Sequence, residues 1–89
     1  MKSNLSLDDL MLFLAVADAG GLQGAAAATG TSAPTLSRRM ADLERATGQH
    51  LFQRGPLGFA LTAEGRALRA EAAPLRDVRR RLASWGTDA

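Results

Sequence analysis

Ser32-Ala-Pro-Thr-Leu-Ser-Arg-Arg-Met-Ala-Asp-Leu-Glu-Arg-Ala-Thr-Gly48 reads as a helix with both ends marked. Ser32 serves as N-cap, Pro34 fits the first turn, where its missing N–H has no helical partner to lose, and Gly48 stands where a left-handed C-terminal cap belongs. Leu36, Met40, Leu43 and Thr47 recur at spacings of four, three and four, which makes one narrow, mostly apolar stripe. Opposite it, at about 100° per residue, fall Pro34, Arg38, Ala41 and Arg45, with Thr35, Ser37 and Asp42 on the flanks. A helix with small residues and an arginine on its outer face fits a DNA major groove. It fits an ordinary surface helix equally well, so the neighbouring segments decide.

Upstream, Ser6-Leu-Asp-Asp9 reads as a capping box with aspartate in the place of glutamate. Leu7, Leu10, Phe13, Leu14 and Ala17 then repeat at helical spacing, and the pair Gly20-Gly21 ends that first helix. Leu22 to Thr29 is a second, short helix, whose alanines (Ala25 to Ala28) let another helix approach closely, and Gly30-Thr31 turns the chain into the helix that starts at Ser32. Two short helices joined by a glycine-containing turn match a helix-turn-helix. Downstream the period changes. Leu51-Phe52-Gln53-Arg54 and Phe59-Ala60-Leu61 are short candidate strands separated by Gly55-Pro56-Leu57-Gly58, which is the pattern of a hairpin wing. Thr62 then caps a long final helix with Glu64 in its first turn. In that helix Leu61, Leu68, Leu75 and Leu82 fall seven apart, with Ala72, Val78 and Trp85 beside them, and Pro74 predicts a kink near Ala70–Pro74. The seam folds back on its own domain or pairs with a second copy; the heptad spacing favours pairing. The two ends, Met1–Leu5 and Gly86–Ala89, read as loose.

Composition bounds the function. Eighty-nine residues make one small domain, and an apolar content of 46% is in the globular range. Without cysteine and with a single histidine, His50, neither a disulfide framework nor a metal site is available. No pair of carboxylates, histidine cluster, activated nucleophile or glycine-rich phosphate loop stands at useful spacing, so neither an enzyme nor a cofactor is expected. No apolar run reaches membrane-spanning length and no signal-peptide core is present, so a cytoplasmic protein without a membrane partner is expected. The net charge of +2 hides an asymmetry, because basic and acidic residues balance through Thr62 and the excess lies wholly in the arginines from Arg66 to Arg81.

The ordered set Leu10, Phe13, Ala25-Ala26, Ser32, Leu36-Ser37-Arg38, Met40, Leu43-Glu44, Gly48, Leu51-Phe52, Arg54, Leu61-Thr62 and Gly65 resembles the N-terminal DNA-binding domain of LysR-type transcriptional regulators over nearly the whole chain. The resemblance implies a mainly α-helical winged helix-turn-helix, with a three-helix core, a two-stranded wing and a long C-terminal linker helix. On that reading residues 1–62 form the DNA-binding domain and residues 63–89 the linker and dimerisation helix. It implies a homodimer that binds double-stranded promoter DNA, with the recognition helix in the major groove. Carried over by position, the DNA-facing set is Ser32, Ala33, Pro34, Thr35, Ser37, Arg38 and Arg39, with Arg54 at the wing. Family members also carry a C-terminal effector-binding domain. This sequence stops at Ala89, so an excised domain, a truncated product or a stand-alone relative is expected, with no small-molecule effector on this chain.

The residues themselves give these positions roles. Arg38, on the outer face in the second turn, suits a guanine edge or a phosphate; the alternative is a surface pair with Asp42 at i+4. Arg39, nearer the flank, suits a phosphate or a pair with Asp42 at i+3. Ser32, Thr35 and Ser37 are short donors, although Ser32 has capping work to do and Ser37 has the Ala33 carbonyl within reach. Ala33 and Pro34 suit a thymine methyl. Arg54 suits the DNA backbone or an ion pair with Glu44. His50 and Gln53 read as surface residues. Leu68, Ala72, Leu75, Val78, Leu82 and Trp85 form the expected dimer seam. Several positions depart from the family pattern: Ala33 where glutamine is common, Gly21 where serine is common, Thr29 where leucine is usual, an uncharged wing tip, and Asp42 on the outer face. Weak binding at physiological salt, with a shallow dependence of log affinity on log salt, is expected from them. The competing function is a stand-alone interaction module that hetero-dimerises with full-length regulators and antagonises them.

Overall fold

Side-chain caps mark the starts of the first and third helices, and glycine caps mark the ends of all three. The computed structural model describes residues 5–55 and 58–86. Helix α1 spans Leu7–Ala19, α2 Leu22–Thr29 and α3 Ala33–Thr47. The Ser6 hydroxyl accepts from the Asp9 N–H at 3.2 Å and the Ser32 hydroxyl from the Thr35 N–H at 3.3 Å. Gly20, Gly30 and Gly48 close the three helices in the left-handed region, each donating its N–H to the carbonyl four residues earlier. The capping box expected at Ser6 forms only by half, because the Asp9 carboxylate crosses to Arg39 of α3 instead of turning back.

The core lies where these helices meet. Phe13, Leu14 and Val16 of α1, Ala25 of α2, and Leu36, Met40 and Leu43 of α3 are all buried. Leu7, which belongs to the helical stripe read from the sequence, is 64% exposed, whereas Val16, off that stripe, is fully buried. The reason is that α1 is covered on several sides, by α2 and α3 and by the wing and the helix that follow.

Strands β1 (Phe52–Gly55) and β2 (Gly58–Leu61) pair antiparallel, with Phe52 opposite Leu61 and Gly55 opposite Gly58. Leu51, expected in the first strand, is instead buried just before it. Gly55 and Gly58, expected in the loop, close the ladder, which leaves a connection of Pro56 and Leu57, and that connection lies outside the described residues. The rings of Phe13, Phe52 and Phe59 stand in a tilted series, with centroids 5.4 and 5.3 Å apart, tying the wing to the helical core. Gly58, at φ 113°, lies so close to the end of α1 that a Cβ there would fall 2.6 Å from the Gly20 carbonyl oxygen.

Thr62 caps helix α4 (Ala63–Ala72) by accepting from the Gly65 N–H at 3.0 Å, and its own hydroxyl donates to the His50 carbonyl at 2.6 Å. The long final helix expected from the sequence is divided in two. Pro74 opens α5 (Pro74–Ala83) and lacks the N–H that would bond to Ala70, so the helical ladder breaks at Ala73. Ala73 keeps right-handed helical dihedrals, so α5 follows α4 across a single turn residue. The architecture is a winged helix-turn-helix. Of the ends expected to be loose, only Leu5 and Gly86 belong to the described residues.

Candidate nucleic-acid interface

The outer face of α3 is set by the burial of its opposite face. With Leu36, Met40 and Leu43 fixed in the core, Ser32, Pro34 and Arg38 are exposed, and Ala33, Thr35 and Ser37 are half-buried along the same first turns. The two hydroxyls at the helix start are already engaged with each other: Ser32 Oγ donates to Thr35 Oγ1 at 3.0 Å. Each still has a lone pair for a second donor, and the pair offers a small polar rim at the mouth of the helix. Ser37 makes no bond to the Ala33 carbonyl among the described residues.

The three arginines of α3 have three different fates. Arg39 turns away from the outer face to meet Asp9 of α1, Nη1 to Oδ1, at 2.6 Å. Asp9 is the one buried charged residue of the core region among those described, so this pair satisfies a carboxylate that would otherwise be costly to bury. The hydrogen bond that Arg39 donates to Asp9, and then the charge of Asp9, push the Arg39 pKa above its ordinary value. The alternative partner read from the sequence, Asp42, is instead paired with Arg45 one turn on. That pairing also places a positive charge beside Asp42 on the outer face. Arg38 is exposed and has no acidic partner among the described residues; the i+4 pair with Asp42 does not form.

On the wing, Arg54 is exposed with its guanidinium carbon 5.0 Å from the centroid of the Phe59 ring. A stacked guanidinium keeps its in-plane donors free for an outside acceptor. The ion pair between Arg54 and Glu44 is absent, because Glu44 has another task. Its Oε2 accepts from the backbone N–H groups of Leu51 and Phe52, at 2.8 and 3.3 Å, and so fixes the approach from α3 into the wing. At the start of α2, Gly21 is the N-cap and gives no side-chain cap.

The expected dimer seam divides by burial. Ala72 is buried inside its own chain, and Leu68 and Leu75 pack half-buried against the same core. Val78, Leu82 and Trp85 are exposed, at 40%, 63% and 78%. The roles of Asp9 and Glu44 escape a reading of the sequence, since each depends on a contact between segments distant along the chain. The only signal for Asp9 is its place among the apolar positions of α1. Among the described residues no helix is long and apolar enough to cross a membrane.

Comparison with known proteins gives one consistent answer. Residues 7–66 match the family model for the bacterial regulatory helix-turn-helix protein, lysR family. The HTH-type transcriptional activator BauR of Pseudomonas aeruginosa is 39% identical over 64 residues, covering 72% of this chain and 21% of the activator. The SDS degradation transcriptional activation protein of a Pseudomonas strain is 41% identical over 78 residues, covering 88% of this chain and 26% of that protein. The chain thus spans about a quarter of the length of these relatives. Among solved structures, the DNA complex of the CbnR DNA-binding domain superposes with a TM-score of 0.80 at 32% identity, covering 90% of this chain and 92% of that one.

Proposed function

Because this chain belongs to the lysR family of bacterial regulatory helix-turn-helix proteins, we propose that it reads promoter DNA as a homodimer and regulates transcription in the cytoplasm. Its helix-turn-helix is a DNA-binding domain of that family. In the proposed arrangement residues 1–62 bind DNA and residues 63–89 join two copies. Ser32, Ala33, Pro34, Thr35, Ser37 and Arg38 face the major groove, Arg54 meets the backbone beside it, and Arg39 orients the helix through Asp9 while its remaining donors reach a phosphate.

The observation that carries this reading is the state of Arg38. It is the arginine on the outer face of α3 that stands exposed without an acidic partner among the described residues, whereas Arg39 and Arg45 are engaged within the chain. A free, forked cation on a rigid helix, framed by short polar residues and Pro34, suits the O6 and N7 acceptors of guanine. The exposed apolar residues Val78, Leu82 and Trp85 support pairing through α5, since a chain acting alone would gain from polar residues there.

The test is selection of bound sites from random duplex DNA with the whole chain. Two-fold symmetric enrichment supports a dimer reading two half-sites. An asymmetric single site overturns the dimer, and failure of any site to enrich at low salt overturns DNA reading. The exposed end of α5 also fits a second reading, in which the chain pairs with full-length family members and blocks them. That reading gains if no site enriches and the chain co-purifies with such a regulator.

A further inference from the structure

Helix α5 is the least anchored element of the described fold. None of its residues is buried, and only Leu75, half-buried, packs against the core. Its helical ladder to α4 is broken at Pro74, with the Arg76 N–H reaching back only to the Ala73 carbonyl at 3.2 Å. By contrast α4 is locked in place: Gly65 lies against the Leu51 carbonyl and Ala72 is buried. Across this break stands one carboxylate. Asp18, near the end of α1, accepts a hydrogen bond from Arg69 of α4 through Oδ1 at 2.6 Å and forms an ion pair with Arg76 of α5, whose Nη1 lies 2.5 Å from Oδ2. One acid therefore holds both sides of the interruption, and all three side chains are 35–47% exposed, so the clamp is adjustable rather than part of the core.

We propose that Asp18 is a positioning residue: by binding Arg76 it fixes the direction of α5 relative to the DNA-reading unit, and so sets the spacing between the two DNA half-sites that a dimer accepts. The inference rests on the dimer reading above. Its reach follows from geometry. A ten-residue helix is about 15 Å long, so a tilt of about 15° at its base moves the far end by about 4 Å, comparable with the roughly 3.4 Å rise of one base pair. A change of that size in each copy is enough to put the second reading helix out of register with its groove. Stability of the fold does not require this clamp, because α4 has its own packing; the direction of α5 does.

Three variants of the whole chain separate positioning from a general loss of structure: Asp18→Asn, Arg76→Ala and Arg69→Ala. The chain has no cysteine, so spin labels on Ala27→Cys of α2 and Arg81→Cys of α5, diluted with unlabelled chain, report one internal distance. The duplex library carries two inverted half-sites, taken from the selection above, at varied spacing. The expected result is a narrow distance distribution and a single accepted spacing for the parent chain and for Arg69→Ala. Asp18→Asn and Arg76→Ala are expected to broaden the distance and accept several spacings, with affinity for an isolated half-site unchanged. An unchanged distance and spacing in Arg76→Ala, or equal broadening in Arg69→Ala, overturns the role of Asp18. A parent chain that sediments as a monomer with and without DNA overturns the dimer reading and the spacing role with it.

Discussion

Arg39 of α3 reaches Asp9 of α1 across a 2.6 Å ion pair, so an arginine that stands beside the outer face of α3 in sequence ties that helix to α1. Asp9 is 8% exposed, and truncating its partner leaves a carboxylate in the core region without compensation. Arg39→Ala is therefore expected to lower the melting temperature, and Asp9→Asn with it. In a double-mutant cycle, Asp9→Asn should remove most of the penalty of Arg39→Ala. Additive effects would show that the two side chains act separately.

Arg38→Ala should behave in the opposite way. The side chain is exposed and without an acidic partner among the described residues, so stability should change by no more than about 0.5 kcal/mol. Discrimination between the selected site and a site with the contacted base changed should fall by about 1–3 kcal/mol, read from titrations on both duplexes at one salt concentration. A loss equal on every duplex would mark Arg38 as a phosphate contact instead.

Glu44 is the joint between the recognition helix and the wing. Its Oε2 accepts from the backbone N–H groups of both Leu51 and Phe52, and Glu44→Ala leaves these two donors without that acceptor at the edge of the core. A loss of about 1–3 kcal/mol is expected by urea unfolding, with Glu44→Gln retaining part of it because an amide oxygen still accepts. Equal losses in the two variants would assign the effect to charge rather than to the two hydrogen bonds.

Gly65 gives the sharpest steric case. A Cβ there would fall 2.1 Å from the Leu51 carbonyl oxygen and 2.9 Å from Leu61 Cδ2, and the first of these is backbone that cannot step aside. Gly65→Ala should cost roughly 1–3 kcal/mol or more by forcing α4 off the wing. A domain of this size should then melt lower by several degrees for each kcal/mol, roughly 4–8 °C. Gly55→Ala makes a suitable control, since a Cβ there meets nothing within 4 Å. A similar loss in both would remove the steric explanation.

The order of elements was legible in the sequence because each carries local marks: serine and threonine caps at Ser6, Ser32 and Thr62, closing glycines at Gly20, Gly30 and Gly48, and the apolar stripe Leu36–Met40–Leu43. The face of α3 that turns outward follows from that stripe. What the arginines do on that face was not legible. Arg38, Arg39 and Arg45 look alike at helical spacing, and their separation into a free cation, a clamp and a partner for Asp42 depends on Asp9, thirty residues from Arg39 along the chain. The same holds for the final helix. Pro74 marks the break, but only the fold brings Asp18 to both of its sides.

Trp85 brings the question of assembly to one side chain. It is 78% exposed, just beyond α5, in line with Leu82 and Val78. Within one chain its truncation removes little buried area, so Trp85→Ala should leave the unfolding free energy of the isolated fold within about 0.5 kcal/mol of the parent. At a dimer seam a tryptophan is a frequent anchor, and its loss should cost about 2 kcal/mol or more, raising the dimer dissociation constant about thirtyfold. Sedimentation equilibrium over a range of concentrations measures this directly. On DNA, Trp85→Ala should weaken binding to a duplex with two half-sites and leave an isolated half-site unaffected. Equal weakening on both duplexes would place Trp85 in the binding of a single unit and remove it from the seam.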